Sequence, residues 1–252
     1  MRKILTSLSI IVFVAIIGIS TTVAYFHDTE TSTGNSFTAG AIDLKIDYKC
    51  DEGLCEIPFK NLGAGDSFFK YCDVKPGDDG EATISWHITN NKAWGRMRIA
   101  DIEDWEYKCT EPEEEYPDLT CGVDDAGEGD GELSQYLTFT SWMDEGSVEG
   151  WQCGTDQGGC SDDPEEGNNV FDENTFDEYI ANDMLVSEFA TDGIQLPEIL
   201  EPDTVYYTGL QWNLPFETPN IVQTDSMVAS IVMEAVQSRN NVNAAEDGPL
   251  GW

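Results

Sequence analysis

Hydrophobic and polar residues alternate with a period of two along much of the chain, the pattern of strands that bury one face. Ala41 to Tyr48 places Ile42, Leu44, Ile46 and Tyr48 on one side and Asp43, Lys45 and Asp47 on the other. Ala82 to Asn90 repeats the pattern: Ala82, Ile84, Trp86 and Ile88 share a face, and Thr83, Ser85, His87 and Thr89 form the polar one, so His87 is expected to be exposed. Arg96 to Ile102, Tyr136 to Trp142, Thr204 to Trp212 and Met227 to Val236 are the further strand candidates. Phe176, Tyr179, Ile180, Met184 and Leu185 recur instead at helical spacing, which predicts a short helix over Asp177 to Phe189. Clusters of Gly, Pro, Asn and Asp separate the strands, and the expected fold class is all-β, an antiparallel β-sandwich over residues 41–242.

Two stretches depart from this pattern. Arg2 and Lys3 precede an apolar run from Ile10 to Ile19, and Thr22-Val23-Ala24 supplies the small residues that a signal peptidase reads. Residues 1–24 are therefore expected to be a signal peptide, cut between Ala24 and Tyr25. The rival reading is a membrane anchor over Ile4 to Val23, since about 20 apolar residues span a bilayer. Cleavage would leave a secreted chain with no membrane segment. Between about 109 and 172 the composition shifts to Asp, Glu and Gly, with too little apolar sequence to form its own core, so this segment is expected to be an insertion into the sandwich. Residues 243–252 are expected to form a flexible C-terminal tail.

The seven cysteines all follow the expected cut, which places them in an oxidising compartment. Cys109 with Cys121 and Cys153 with Cys160 bracket Gly- and Asp-rich loops and are the expected local disulfides that staple the insertion. Cys50, Cys55 and Cys72 share one bond among three, and the remaining thiol is either a link between subunits or a buried free cysteine.

Charge narrows the partners. The chain carries 49 Asp plus Glu against 12 Lys plus Arg, a net of -37. Removal of Arg2 and Lys3 leaves 10 basic residues, and 10 − 49 gives −39 for the mature chain. Nucleic acid and anionic lipid need a cationic surface and are excluded as main partners. With 40% hydrophobic residues the chain is nonetheless too apolar to be a disordered acidic tail. Asp124, Asp125, Glu128, Asp130 and Glu132 are spaced by glycines that let a loop curl oxygens inward, as Ca²⁺ requires, and Asp162, Asp163 and Glu165 form a second candidate set. The alternative is an acid-coated surface suited to high salt. No His-Glu-x-x-His helix, Gly-x-Ser-x-Gly elbow or phosphate-binding glycine loop occurs, and no catalytic residue is expected.

Ala24-Tyr25-Phe26-His27-Asp28-Thr29-Glu30 followed by Phe37-Thr38-Ala39-Gly40-Ala41-Ile42-Asp43-Leu44 resembles the signal-junction signature of the TasA and camelysin family. Val74-Lys75-Pro76-Gly77-Asp78, the strand to Trp86 and Asn90-Asn91 resemble the family's "L-K-P-G-D, strand, N-N-G" segment, and Leu210 to Pro215 with Glu234 to Asn241 are similar to its last strands. Residues 109–200 have no counterpart. The resemblance implies a jelly-roll-like β-sandwich that polymerises head to tail into extracellular filaments of a biofilm matrix or cell surface, alone or with other matrix subunits. It further implies donor-strand exchange by the arm 25–40, through Tyr25, Phe26, His27, Asp28, Thr29, Thr31, Thr33 and Phe37, with Pro76-Gly77-Asp78 fixing the start of a strand. The residues permit this, because a Thr-rich arm with aromatic anchors can add to a sheet edge while having little reason to fold locally. The alternative is a monomeric secreted module that binds glycans or surfaces with Ca²⁺, in which case an aromatic such as Trp151 would carry the contact.

Overall fold

A computed structural model describes residues 43–50, 56–61, 74–107, 110–114, 129–152, 162–239 and 241. These belong to one compact unit, Gly40–Trp252. The leader 1–24, the arm with Tyr25 to Phe37, the residues Asp124, Asp125 and Glu128, the tail 243–252 and the side chains of Cys50, Cys55, Cys72, Cys109, Cys121, Cys153 and Cys160 lie outside the described residues.

The described elements run β1 (Asp43–Cys50), β2 (Glu56–Lys60), β3 (Asp79–Thr89), β4 (Ala93–Trp105), α1 (Glu111–Glu114), α2 (Leu133–Tyr136), β5 (Thr138–Met143), β6 (Glu178–Leu185), α3 (Val186–Thr191), β7 (Ile194–Gln195), β8 (Val205–Asn213) and β9 (Ser226–Gln237). They form a six-stranded sheet in the order β2-β1-β3-β8-β5-β6 and a three-stranded sheet in the order β7-β4-β9. Every pairing is antiparallel. One apolar cluster draws Ala82, Ile84, Trp86 and Ile88 from β3, Phe139 from β5 and Leu210 and Trp212 from β8, together with Ala93 and Met97 from β4. Side chains from both sheets thus share one core, consistent with a β-sandwich.

The strands predicted from alternation are present. At β3 the apolar face is fully buried, while the polar face is not exposed as expected: Ser85 and His87 are 3% and 6% exposed. The central part of β3 is closed on both faces, and Ser85 Oγ and His87 Nε2 satisfy each other at 2.8 Å. Lys75 to Asp78 makes the turn that opens β3, with Gly77 at φ 93, as position three of a type II turn requires. Asp78 Oδ2 accepts from Lys75 N–H, and Gly77 N–H donates to Leu214 O beyond the end of β8 at 2.7 Å. The turn is thereby fastened to the strand that pairs with β3.

The expected helix over Asp177 to Phe189 is instead strand β6 followed by the short helix α3. Against β5 the register runs Phe139↔Met184, Ser141↔Ala181 and Trp142↔Tyr179, so β6 carries an extra residue twice. Asp183 at φ 47 lies in the first bulge. Two bulges convert a period of two into apparent helical spacing. Only Val186 to Thr191 is helical, and the Glu188 carboxylate accepts from Leu185 N–H at its start. The acid-rich segment 109–172 contributes β5, which lies inside the large sheet between β8 and β6.

Candidate functional site

The first feature with functional geometry is the free edge of β9. Among the described residues β9 pairs with β4 alone, over Ala93↔Gln237 to Trp105↔Ser226. Along the inner face of this ladder Met97 and Ile99 are 0% and 2% exposed, whereas their partners Met233 and Ile231 are only half-buried. Met227, Ala229 and Ala235 are likewise half-buried apolar residues packed against the core. An apolar inner face that ends half-covered is what a sheet presents where another strand can add. β9 spans 12 residues, SMVASIVMEAVQ, with a single charge. That charge, Glu234, is neutralised from β4 by Arg96 Nε and Nη2 at 2.9 and 2.6 Å and by Arg98 Nε at 3.3 Å. The β6 edge of the opposite sheet is different: it is bulged and carries Glu178 and Asp183. Bulges and charges blunt an edge against strand addition.

A cavity of about 900 Å³ opens at the start of β9, lined by Leu137, Phe139, Trp212, Val222, Asp225 and Met227 among others. Beside it, Glu106, Glu132 and Asp225 offer carboxylate oxygens that lie within 4.8 Å of one another. The three come together because Trp105 and Ser226 are register partners: Glu106 follows β4 and Asp225 precedes β9, so the ladder's end sets them side by side. Glu132 is tied in by its N–H, which donates to Asp225 Oδ2 at 2.6 Å. Thr224 Oγ1 contacts Glu106 Oε1 at 3.4 Å and Glu113 Oε1 at 3.3 Å. Burial, reinforced by the Glu106 and Glu132 charges, pushes the Asp225 carboxyl up to about 8 against the Glu132 N–H. The cluster is therefore a place for a proton or for a cation. Its oxygen donors fit Ca²⁺, whose remaining ligands would be backbone oxygens or water.

Of the residues expected to bind metal, Glu132 belongs to this cluster and Asp130 lies two residues before it. Asp162 and Glu165 are exposed. Asp163 is buried, but its oxygens accept from Ser147 Oγ, Glu165 N–H and Val148 N–H at 3.0, 3.1 and 2.7 Å. Burial raises its carboxyl, and these donors outweigh burial and hold it below the ordinary carboxylate range. Asp163 is a loop staple. Glu106 and Asp225 do not stand out in the sequence as a pair, because only the β4–β9 register brings these distant positions together. Trp151 is half-buried, with its indole N–H on Glu198 Oε1 at 2.8 Å and its ring 4.9 Å from Tyr206. It packs a loop rather than presenting a free aromatic face. No protein-family model and no curated protein matches this chain.

Proposed function

We propose that this protein is a structural subunit of an extracellular filament, and that the β9 edge is the acceptor for the N-terminal arm of a neighbouring copy. The observation that carries the reading is the pairing of the buried inner-face residues of β4, Met97 and Ile99, with half-covered partners in β9. Residues 25–37 number 13, and at about 3.3 Å per residue they extend about 43 Å, enough to run the length of the 12-residue β9. Tyr25, His27, Thr29, Thr31, Thr33 and Phe37 share one face of such a strand, and Phe26, Asp28 and Glu30 share the other. With the first face turned inward, the acids lie on the side of Arg96 and Arg98. Either end of the arm brings an aromatic to the cavity by Met227.

Ca²⁺ enters this reading through Glu106, Glu132 and Asp225, which stand at the end of the β4–β9 ladder. A bound cation there would remove their mutual repulsion and fix the acceptor edge. The secretion signal, the disulfides of the acid-rich segment and the jelly-roll form remain parts of the proposal that rest on the sequence. The strand order supports the jelly-roll form least: β3 pairs with β8 and β4 with β9, the unnested order of strands B–E and C–F in immunoglobulin sandwiches.

The test is electron microscopy of residues 25–252 beside residues 41–252, with Ca²⁺ and with chelator at fixed high salt. Filaments from the longer chain only are expected. Folded monomers from both chains in every condition would refute the reading and favour the monomeric binding module. For that second reading the specific feature is the Phe171–Tyr179 stack, 3.7 Å between ring centroids, with Tyr179 47% exposed. Stacked, half-exposed aromatics are a surface for sugar rings, and glycan-array binding by the monomer is its check.

A further inference from the structure

A second set of oxygen ligands is enclosed at the far end of β5, remote in the sequence from Glu106 and Asp225. Asp144 follows β5 directly and continues its ladder, its N–H donating to Tyr207 O at 3.0 Å. Three loops of the acid-rich region close over it. Gly167 N–H donates to Asp144 O at 3.1 Å, and Asn169 N–H donates to Asp144 Oδ2 at 2.8 Å. Asp177 ties the third loop in, accepting from Gly146 N–H at 2.9 Å and from Asp172 N–H at 3.1 Å. At the crossing a Cβ on Gly146 would lie 2.5 Å from Glu166 N and 2.7 Å from Asp163 Oδ2, so the loops are in contact there.

Three polar side-chain atoms inside this clamp, Asp144 Oδ1 and the Oδ1 and Nδ2 of Asn169, are left without partners. Asp144 is 0% exposed, and its Oδ1 is buried and accepts no hydrogen bond. Asn169 is 8% exposed and adopts φ 66, and both polar atoms of its amide are buried and unpartnered. A buried carboxylate oxygen without a partner is unfavourable unless a proton or a counter-charge offsets it. Asp177 adds negative charge nearby rather than removing it.

We infer that Asp144 and the Asn169 carbonyl oxygen are protein ligands of a Ca²⁺-class cation site that clamps the loops 144–150, 163–169 and 172–177. A hard divalent cation takes oxygen ligands of both kinds, and backbone carbonyls and water complete its shell. The site is separate from Glu106, Glu132 and Asp225, and it does not depend on polymerisation.

The experiment is a Tb³⁺ luminescence titration of the mature chain at fixed high salt, excited through tryptophan, with Ca²⁺ as competitor. Trp142, two residues before Asp144, is the natural antenna. It is done in an Asp225→Asn background, which weakens the other carboxylate set. Asp144→Asn keeps the shape and removes the charge, and is expected to weaken the Ca²⁺-displaceable Tb³⁺ signal at least tenfold with unchanged far-UV circular dichroism. Asn169→Asp adds a ligand charge and is expected to tighten binding several-fold. A background protein that binds no Tb³⁺, or binding unmoved by both substitutions, would overturn the proposal and leave a protonated Asp144 as the occupant.

Discussion

Met97 and Met233 face each other across the β4–β9 ladder, and only Met97 is sealed from solvent. The same inequality holds for Ile99 and Ile231 one pair along the inner face. In a finished sandwich both members of such a pair would be covered. The half-covered residues therefore mark where burial is still to be gained, and fully burying one aliphatic side chain is worth about 1.5–3 kcal/mol.

Placing a charge on that inner face is expected to block assembly while leaving the subunit folded. Met233→Lys or Ile231→Lys keeps the side chain able to reach solvent in the monomer, but a donor strand would trap the ammonium in an apolar seam. Filaments should be absent by microscopy, and the melting temperature of the monomer should change by only a few degrees. Normal filaments from Ile231→Lys would place the contact elsewhere.

Much of this was legible in the sequence. β1, β3, β4, β8 and β9 follow the period-two pattern because each keeps an unbroken ladder over most of its length. β6 was not legible, because two bulges move Ile180, Ala181 and Met184 onto the core side and imitate a helix. His87 was misplaced because alternation reports which residues share a face, not whether that face is covered. Glu132 stood out in a Gly-spaced acidic run. Glu106 and Asp225 did not, since only the β4–β9 register sets them beside it.

The charge layout predicts a swap. Arg98→Glu should raise the critical concentration for assembly by about fivefold, the equivalent of about 1 kcal/mol for a partly exposed ion pair. Asp28→Arg in the same chain should recover most of the loss. Light scattering at several protein concentrations reads this, and the effect should shrink as salt rises. Equal critical concentrations for parent and Arg98→Glu would separate the arm's acids from Arg98.

Stability without divalent cations should fall as the pH rises. Burial raises the Asp144 carboxyl to about 7 and the Asp225 carboxyl to about 8, both from 3.8. Each group binds its proton more tightly folded than unfolded, so its contribution is full below about pH 4 and is lost by about pH 8. Asp163 and Asp172, held low, act in the opposite sense only as the pH falls below the ordinary carboxylate range. Thermal melts in chelator are expected to give a higher melting temperature at pH 5 than at pH 8. Asp144→Asn and Asp225→Asn together should flatten that slope, as should Ca²⁺. A melting temperature in chelator that rises from pH 5 to pH 8 would contradict the assignment.

Gly209 is a packing requirement of the large sheet. It is the register partner of Trp142, and a Cβ at this position would lie 2.0 Å from the indole. Gly209→Ala should therefore cost about 1–3 kcal/mol, the usual range for overpacking a core. Denaturant titration checks it, with a lower midpoint and an unchanged slope expected.

The most direct measurement is amide hydrogen exchange on residues 41–252 with and without a synthetic peptide of residues 25–37, in high salt with Ca²⁺. The account predicts that the peptide slows exchange along Met227 to Val236 and leaves the bulged β6 edge unchanged. Exchange at β9 unaltered by saturating peptide, or protection confined to another strand, would contradict it.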